Sequence, residues 1–367
     1  MPRSGALLLV CLALLGLYLA TWPVPVDPVA WEAPEDQGLT GAFAVNDPLA
    51  AASAIDLGAH EGPEDVAVGH DGALYASVAS GTIVRIDRES GQVSEFAHTG
   101  GRPLGIESSP DGSLLVANGY LGIQRISSLG EVTVLLDAMD GEPLAYPDDL
   151  AVASNGVIYF SDASTKFGAL AWKGSYEASL LDILEHGGHG RVIAFDPRSG
   201  DARVIVEGLN FANGVAISAD DRFLLIAETG TYRILRHWLL GPDAGTTEVI
   251  IDNLPGFPDN INNGEDGRYW VGLIAPRDSK LDGLSDKPFL RKVVQRLPAF
   301  LRPAAVPSSH VIAIDGDGNV QMSLQDPGAR YPAMTGVCET GQRLYLTRLF
   351  GHELPYLGKA PLQQTGQ

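Results

Sequence analysis

Oxygen-bearing side chains recur at the starts of four repeated segments of this 367-residue chain. They are Glu64 and Asp65, Asp148 and Asp149, Asn213, and Asp259 and Asn260, with each group in a different segment. Taken alone, each of these residues is typical of a turn or a strand cap. Together they match Ca²⁺ and other hard divalent cations, which bind carboxylate, amide and water oxygens. If the fold gathers the four segments, the set predicts a divalent cation site, because gathered carboxylates would otherwise repel one another.

The elements that must gather these side chains are six copies of one sequence pattern. Each copy has a start that contains glycine or proline, a short apolar run, a tight turn and an alternating strand. The copies span residues 62–77, 102–117, 146–161, 211–227, 257–272 and 332–347. Repeats of roughly 40 residues that cannot bury their own apolar face stack as blades around an axis. We therefore predict an all-β fold, a six-bladed β-propeller over residues 41–367, in which the inner strands start near the axis.

The turns and the two ends of the repeat array agree with this prediction. Asp-Gly and Asn-Gly pairs tolerate the positive φ of hairpin turns. They separate apolar runs at residues 71–72, 111–112, 155–156 and 266–267. A further segment, residues 41–57, precedes the first repeat, whereas the last repeat is short after Phe350. We expect the N-terminal strand to complete the last blade and close the ring, which removes exposed sheet edges.

Two insertions interrupt the repeats. Residues 164–188 have aromatic and helical character, and residues 278–306 contain an amphipathic helix between Pro288 and Pro298. The basic side chains of that helix are Arg291, Lys292 and Arg296. Long loops inside a compact repeat usually act as lids or surface contacts. Two interpretations stay open: the helix is a lid or lies on a membrane surface, or it is an ordinary solvated helix.

The N-terminus has the pattern of an export signal. One arginine precedes an unbroken apolar run over residues 6–20. This pattern predicts a signal anchor or signal peptide over residues 1–22, followed by a Pro-rich, acidic linker over residues 23–40. Cleavage after Ala20 would put the bulky Tyr18 where a small residue is expected, which favours an uncleaved anchor. We expect the propeller to be membrane-anchored on the non-cytoplasmic side, or secreted if the signal is cleaved.

Composition argues against several classes of function. The formal net charge of −20 disfavours a nucleic-acid partner, because nucleic-acid binding needs Lys and Arg to neutralise phosphates. Such acidity is typical either of a solvated surface or of a focused negative site for a cation. The two cysteines are Cys11, in the apolar run, and Cys338, so the body has no disulfide partner for Cys338. No motif indicates a serine hydrolase elbow, a phosphate loop or a dinucleotide site.

Several motifs make the chain similar to a known superfamily, the strictosidine synthase-like, gluconolactonase and paraoxonase propellers. The motifs are GPED at Gly62–Asp65, GRPLGI at Gly101–Ile106, YFSDASTKF at Tyr159–Phe167, FANGVAIS at Phe211–Ser218, AETGTYRILRHWL at Ala227–Leu239 and LPGFPDNI at Leu254–Ile261. The resemblance covers nearly all of the body. It is strongest to the branch that contains adipocyte plasma membrane-associated protein and its bacterial relatives.

The resemblance implies a site and an activity. The positions of the family's central metal site are Glu64, Asp148, Asn213 and Asp259, and Asp65 and Asn260 match positions that paraoxonase-like members add around a calcium ion. Relatives commonly have asparagine where Asp148 stands. The implied function is metal-dependent hydrolysis of small-molecule lactones or aryl esters, with Ca²⁺ or another divalent cation as cofactor and Asp259 as the catalytic base. The alternative is a non-catalytic propeller that holds a structural calcium ion and binds a partner.

At two positions the chain departs from the superfamily, and each departure argues against one reaction mechanism. Strictosidine-condensing enzymes have a catalytic glutamate at the position of Thr335, four residues before Glu339, so amine-aldehyde condensation is not expected. Paraoxonases have a histidine where Leu104 stands, so a histidine-dyad mechanism is not expected either. We interpret His352 as a surface or structural residue and Cys338 as a small buried residue.

Overall fold

Each predicted repeat folds into one four-stranded antiparallel sheet in the computed structural model, which describes residues 3–360, and six such sheets surround a central axis. The first two residues of the predicted anchor and the last seven of the predicted propeller segment lie outside the described residues. Gly72 and Gly112 close hairpin turns with φ of 76° and 84°, as those turns require. The six-bladed β-propeller is therefore confirmed.

The strands are numbered β1–β26 along the chain, and the first, β1, spans Ser53–Asp56. Blade 1 contains β2 Asp65–Val68, β3 Leu74–Ser77, β4 Thr82–Ile86 and β5 Val93–His98. Blade 2 contains β6 Pro103–Ser108, β7 Leu114–Asn118, β8 Gly122–Ile126 and β9 Val132–Leu136. A two-stranded ribbon follows, formed by β10 Ala138–Met139 and β11 Glu142–Pro143.

The remaining four blades repeat this arrangement. Blade 3 contains β12 Pro147–Val152, β13 Ile158–Asp162, β14 Gly190–Asp196 and β15 Asp201–Leu209. Blade 4 contains β16 Ala212–Ile217, β17 Phe223–Glu228, β18 Arg233–Trp238 and β19 Thr247–Ile251. Blade 5 contains β20 Gly256–Asn263, β21 Tyr269–Pro276, β22 Ser309–Ile314 and β23 Val320–Asp326. Blade 6 joins β24 Met334–Glu339, β25 Arg343–Arg348 and β26 Glu353–Gly358 to β1.

The N-terminal strand closes the ring, as predicted. β1 pairs antiparallel with β26, with Ser53 opposite Tyr356 and Asp56 opposite Glu353. The innermost strands contact one another in chain order from β2 to β24, and β24 in turn contacts β2. Apolar side chains fill the space between neighbouring blades. For example, Val66 of blade 1 belongs to the same buried cluster as Cys338 and Tyr345 of blade 6.

Inner strands of three blades carry a bulge where predicted site residues lie. Their pairing with the next strand shifts register at residues 147–150, 212–215 and 258–261. A bulge takes residues out of the regular ladder and redirects their side chains. Asp148, Asn213 and Asp259 each lie in one of these bulges. The same local irregularity, repeated in blades 3, 4 and 5, thus turns three side chains towards the end of the axis.

Four α-helices lie outside the blades within residues 3–360. They are α1 Arg3–Thr21, α2 Ser175–Glu185, α3 Ser279–Asp282 and α4 Pro288–Arg296. Short 3₁₀ turns occupy Gly41–Phe43, Pro48–Ala51, Thr229–Thr231, Glu265–Gly267 and Ala299–Leu301. Because α2 lies in the first predicted insertion and α3 and α4 lie in the second, both helical insertions are confirmed. No helix of the described residues combines the length and hydropathy that a membrane crossing needs.

The segment predicted as a linker, residues 23–40, lies against the first insertion. The Trp31 ring stacks on His186, with 4.0 Å between the ring centroids. The backbone N–H of Asp27 donates a hydrogen bond to the carboxylate of Glu185, at 2.6 Å. Both contacts involve the C-terminal end of α2, so this part of the N-terminal segment is held on the body.

Candidate active site

A cavity of about 750 Å³ lies at the end of the axis where the inner strands start. Its floor is formed by Glu64, just before blade 1, and by Asp148, Asn213 and Asp259 of blades 3, 4 and 5. All four side chains are buried. The fold therefore brings together the four side chains that the family resemblance implies as metal ligands.

Three carboxyl groups share this buried floor and disfavour one another's ionised form. Burial, and then the charges of Asp259 and Asp148, raise the pKa of Glu64 well above its usual value. Burial and the charge of Asp259 raise the pKa of Asp148 in the same way. Burial raises the pKa of Asp259 to about 7, against the opposing effect of a hydrogen bond from Asn213. A cation bound here would favour the ionised carboxylates by neutralising their charge.

Unsatisfied oxygens at the floor fit a hard cation. Among the described residues, Oε2 of Glu64 and Oδ1 of Asn213 at the floor, and Oδ1 of Asn260 behind it, are buried without a hydrogen-bond partner. Buried polar atoms are usually hydrogen-bonded, so these oxygens are available as ligands. Among the described residues, no three His, Cys, Asp or Glu side chains form a ready-made metal cluster. The floor thus has oxygen donors of the kind that a hard cation binds.

In blades 1 and 3, the second acidic residue at the blade start accepts a backbone hydrogen bond from the next blade. The Asp65 carboxylate accepts a hydrogen bond from the backbone N–H of Ile106 in blade 2, at 2.9 Å. Asp149 of blade 3 accepts one from Val215 of blade 4, also at 2.9 Å. These carboxylates staple neighbouring inner strands together. Asp65 is not among the residues that line the cavity, and its role as an additional ligand stays a prediction.

Asn260 lies behind the floor and holds Glu64. Its Nδ2 donates to Oε1 of Glu64 at 3.0 Å and to the carbonyl oxygen of Glu64 at 3.2 Å. The Thr335 hydroxyl donates to the same carbonyl oxygen at 2.6 Å and lies 2.9 Å from the Thr347 hydroxyl. Thr335 is fully buried and positions the Glu64 backbone.

The walls of the cavity are largely apolar, and both insertions form its roof. The walls include Leu104, Tyr146, Phe211 and Phe257. Tyr146 and Phe211 pack edge to face, with 5.3 Å between the ring centroids. Side chains from residues 175–184 of α2 and from residues 294–306 complete the enclosure. Oxygen donors beneath aromatic walls suit a ligand with an apolar ring or chain and a polar group at one end.

Arg102 is a site residue that we did not predict from the sequence. It is buried, and its Nη1 has no hydrogen-bond partner in the part of the chain that the structure describes. Its positive charge opposes the rise in pKa that burial causes at Glu64 and Asp148. The only sequence signal was the arginine of the GRPLGI motif, which served as a family marker without a role. Arg102 therefore supplies a positive charge next to the carboxylates of the floor.

His352 and Cys338, which the sequence analysis interpreted as structural residues, lie away from the cavity. His352 is exposed, and its Nδ1 lies 3.1 Å from the carbonyl oxygen of His60. Cys338 is buried, and burial raises the pKa of its thiol. Neither residue lines the cavity. Their structural interpretation agrees with these positions.

Two family models match segments that contain three of the four floor residues, Glu64, Asp148 and Asn213. The strictosidine synthase model matches residues 148–242, and the N-terminal strictosidine synthase-like model matches residues 41–86. Strictosidine synthase-like protein 6 of Arabidopsis thaliana is 34% identical over 309 residues, which cover 82% of this chain and 80% of that protein. The chain belongs to the strictosidine synthase-like family.

Other relatives extend the comparison. The adipocyte plasma membrane-associated protein of Danio rerio is 32% identical to this family member over 387 residues, covering 99% of this chain and 91% of that protein. A gluconolactonase from Xanthomonas campestris has a TM-score of 0.61 at 19% identity, covering 92% of this chain and 98% of that one. The calcium-binding protein regucalcin from Agrobacterium tumefaciens has a TM-score of 0.55 at 13% identity, with coverage of 84% and 93%. At these identities the two structures establish the shared fold.

Proposed function

We propose that this strictosidine synthase-like protein is a divalent-cation-dependent hydrolase of lactones or aryl esters that acts in the axial cavity. The observation that carries the proposal is a floor of oxygen donors from four blade starts beneath an aromatic-walled cavity. The donors suit a hard cation such as Ca²⁺, and the walls suit the apolar part of an ester. A gluconolactonase and a calcium-binding protein share the fold, which supports the same assignment.

The floor residues divide the chemistry among them. Glu64, Asn213 and Asp259 would hold the cation, with Asp148 joining directly or through water. When bound, a divalent cation polarises a carbonyl oxygen and lowers the pKa of water. Asp259 lines the cavity and accepts the proton of the water that attacks the ester carbon. Asn260 keeps Glu64 in place. The departing alcohol takes up the proton that Asp259 accepted, so that one water is added across the ester bond and Asp259 returns to its ionised form.

The position of the donors favours a catalytic site over a structural ion. A structural cation is closed off by protein ligands, whereas a catalytic cation keeps a position open to substrate. All four floor residues line the cavity, so their free side faces space that a substrate can fill. A non-catalytic propeller that holds a structural calcium ion and binds a partner is the alternative that the following experiment separates.

The experiment compares purified full-length wild type with Asp259→Asn on a panel of lactones and aryl esters, with Ca²⁺ and with chelator. We expect turnover to need the cation and to fall by about 10² or more in the variant, as for loss of a general base. Asp148→Asn is the matched control, because it removes a charge from the same floor but keeps an oxygen donor. Absence of turnover by wild type on every member would favour the non-catalytic propeller. Equal turnover by wild type and Asp259→Asn would remove Asp259 from the mechanism.

We also propose attachment to a membrane through the N-terminal segment, with the propeller on the non-cytoplasmic side. The support is the apolar sequence of α1 and the likeness to an adipocyte plasma membrane-associated protein. Extraction of the membrane fraction at alkaline pH tests this. An anchored protein stays with the lipid, whereas a cleaved and secreted one is recovered in the medium with an N-terminus beyond the apolar run.

A further inference from the structure

The second insertion exposes a group of large apolar side chains. They are Phe289, Leu290, Phe300, Leu301 and Val306, each more than two-fifths exposed, and we call them the apolar rim. Phe300 is 84% exposed. Single apolar residues are common on protein surfaces, but a concentration of them marks an interaction site. The rim therefore needs an explanation beyond the fold of the propeller.

The rim lies at the roof of the cavity. Val306 itself lines the cavity, as do Ala299 and Arg302, which flank the exposed pair Phe300 and Leu301 in sequence. The same short segment thus covers the cavity with one set of side chains and presents apolar side chains outwards with another. Whatever covers the rim lies directly over the cavity roof.

The C-terminal end of α1 is tied to the helix that carries the rim. Arg296, the last residue of α4, donates from Nη1 to the carbonyl oxygen of Leu19 at 2.8 Å and from Nε to that of Trp22 at 2.6 Å. In return, the Tyr18 hydroxyl donates to the carbonyl oxygen of Arg296 at 3.0 Å. An arginine placed here satisfies free carbonyls at the end of α1 and complements its dipole. α1 and the rim therefore meet the same surroundings.

The side chains of α1 indicate what those surroundings are. Those that are apolar and more than half exposed are Leu7, Leu8, Leu9, Val10, Leu12, Leu14, Leu15 and Leu17. They occupy all sides of the helix, and a helix that is apolar all round belongs in a protein core or in lipid. Their exposure excludes a core formed by the described residues. A lipid bilayer is an environment that suits both α1 and the rim.

The charges of the protein indicate which interaction would bind this surface to a lipid bilayer. The chain has a net charge of −20, which opposes attraction to anionic lipid headgroups. The basic side chains of α4 are also engaged within the protein. Arg291 is buried and donates to the carbonyl oxygen of Leu184 at 2.9 Å, and Lys292 pairs with Asp27 at 2.6 Å. Binding therefore has to come from insertion of apolar side chains, which salt weakens little.

We propose that the apolar rim inserts into a phospholipid bilayer beside α1, so that the roof of the axial cavity lies on the membrane surface. The second insertion then acts as a cavity lid and a membrane contact at once. Docking of the rim is independent of the reaction. One consequence rests on the proposed hydrolase function: the cavity draws its esters or lactones from molecules that partition into the bilayer.

The test uses the full chain in vesicles of phosphatidylcholine and reads the environment of one labelled cysteine. In a Cys11→Ala background, an environment-sensitive fluorophore is attached to Phe300→Cys, and the buried Cys338 stays unlabelled. The matched control is Leu129→Cys, because Leu129 in the β8–β9 turn of blade 2 is also 84% exposed. We expect blue-shifted emission and several-fold quenching by lipids with brominated acyl chains at position 300 only, unchanged in high salt.

Each alternative outcome overturns the proposal. Emission from position 300 that matches position 129 and is not quenched would place the rim in water. Equal quenching at both positions would indicate non-specific adsorption of the body. A blue shift at position 300 that grows with protein concentration without vesicles would assign the rim to a second copy of the chain. Equal melting temperatures of the two labelled proteins confirm that both are folded, and because no turnover is measured, failure of the hydrolase proposal leaves this result interpretable.

Discussion

The Asn260 side-chain amide in blade 5 donates a hydrogen bond to Oε1 of Glu64 at the start of blade 1, at 3.0 Å and across 196 positions of the chain. The other carboxylate oxygen, Oε2, is buried without a hydrogen-bond partner within residues 3–360. One half of this carboxylate is therefore held by the protein and the other half is free at the cavity floor. That asymmetry suits a ligand that is oriented before a cation arrives.

Calcium binding should depend on Asp259 more than on Asp148. Asp259→Ala deletes a donor, whereas Asp148→Asn removes a charge but keeps an oxygen donor. We expect calorimetric titration of the full chain to detect a site that Asp259→Ala abolishes and Asp148→Asn retains. Equal circular dichroism spectra would serve as the folding control. Unchanged binding by Asp259→Ala would contradict the proposed ligand set.

A bound cation should also stabilise the fold. A ligand that binds only the native state adds about 2.7 kcal/mol to the free energy of unfolding at a hundredfold excess over Kd. The melting temperature in saturating Ca²⁺ should therefore exceed that in excess chelator. The same comparison on Asp259→Ala is the control, since its melting temperature should not respond. Identical melting temperatures for wild type in both conditions would count against a stabilising ion.

Arg102 should weaken cation binding while supporting the metal-free protein. Its positive charge repels a cation bound at the floor and attracts the floor carboxylates. We expect Arg102→Met to lower the calcium Kd by about tenfold and to lower the melting temperature in chelator. Arg102→Lys keeps the charge and should behave more like wild type in both measurements. A calcium Kd for Arg102→Met that equals or exceeds the wild-type value would show that the charge of Arg102 does not weaken calcium binding.

Thr335 should act through its hydroxyl as a support for Glu64. Thr335→Val removes a buried hydrogen bond to the Glu64 carbonyl and should lower the free energy of unfolding by about 1 kcal/mol or more in urea titrations. Thr335→Ser keeps the hydroxyl and should lose less. If the two variants were equally stable, the hydrogen bond would make no measurable contribution to the free energy of unfolding.

Amine-aldehyde condensation should be absent from wild type, because the Thr335 side chain cannot serve as an acid or base.

Glu339 should make the fold sensitive to acid. Its buried carboxylate accepts a hydrogen bond from Trp270 Nε1 at 2.7 Å and from the backbone N–H of Glu265 at 3.0 Å, and it pairs with Lys359 at 2.6 Å. Burial opposes ionisation, but these three partners and the charge of Arg268 together hold the pKa of Glu339 below its usual value. A lowered folded-state pKa contributes stability above the unfolded pKa of about 4.3, and this contribution is lost as the pH falls through the folded value.

The expected result is that Glu339→Gln is less stable than wild type in urea at neutral pH. The difference should shrink as the pH falls below about 4, because the wild-type carboxyl then becomes neutral as well. A difference in the free energy of unfolding that stays constant from neutral to acid pH would show that shape, not charge, explains the effect.

How much of the site could be predicted differs from residue to residue. Glu64 and Asp65 are adjacent acidic residues at one blade start, and sequence reasoning made both of them candidate ligands. The structure separates them, because Asp65 bonds the backbone of Ile106 whereas Glu64 faces the cavity. Neighbouring residues of a strand point to opposite sides, and which side faces the axis depends on pairing with other blades.

The sequence by itself determined the propeller, the closing strand and the identity of the four floor residues. Repeat period, turn residues and apolar alternation are local properties, so they can be recognised without knowing which blades touch. Only the tertiary structure decided what the charged residues do. Arg102 is buried beside the floor carboxylates, and Arg296 binds the carbonyl oxygen of Leu19 across 277 positions of the chain. No local sequence pattern identifies the partner of such a charged side chain. The partner is distant in the sequence and comes close only when the chain folds.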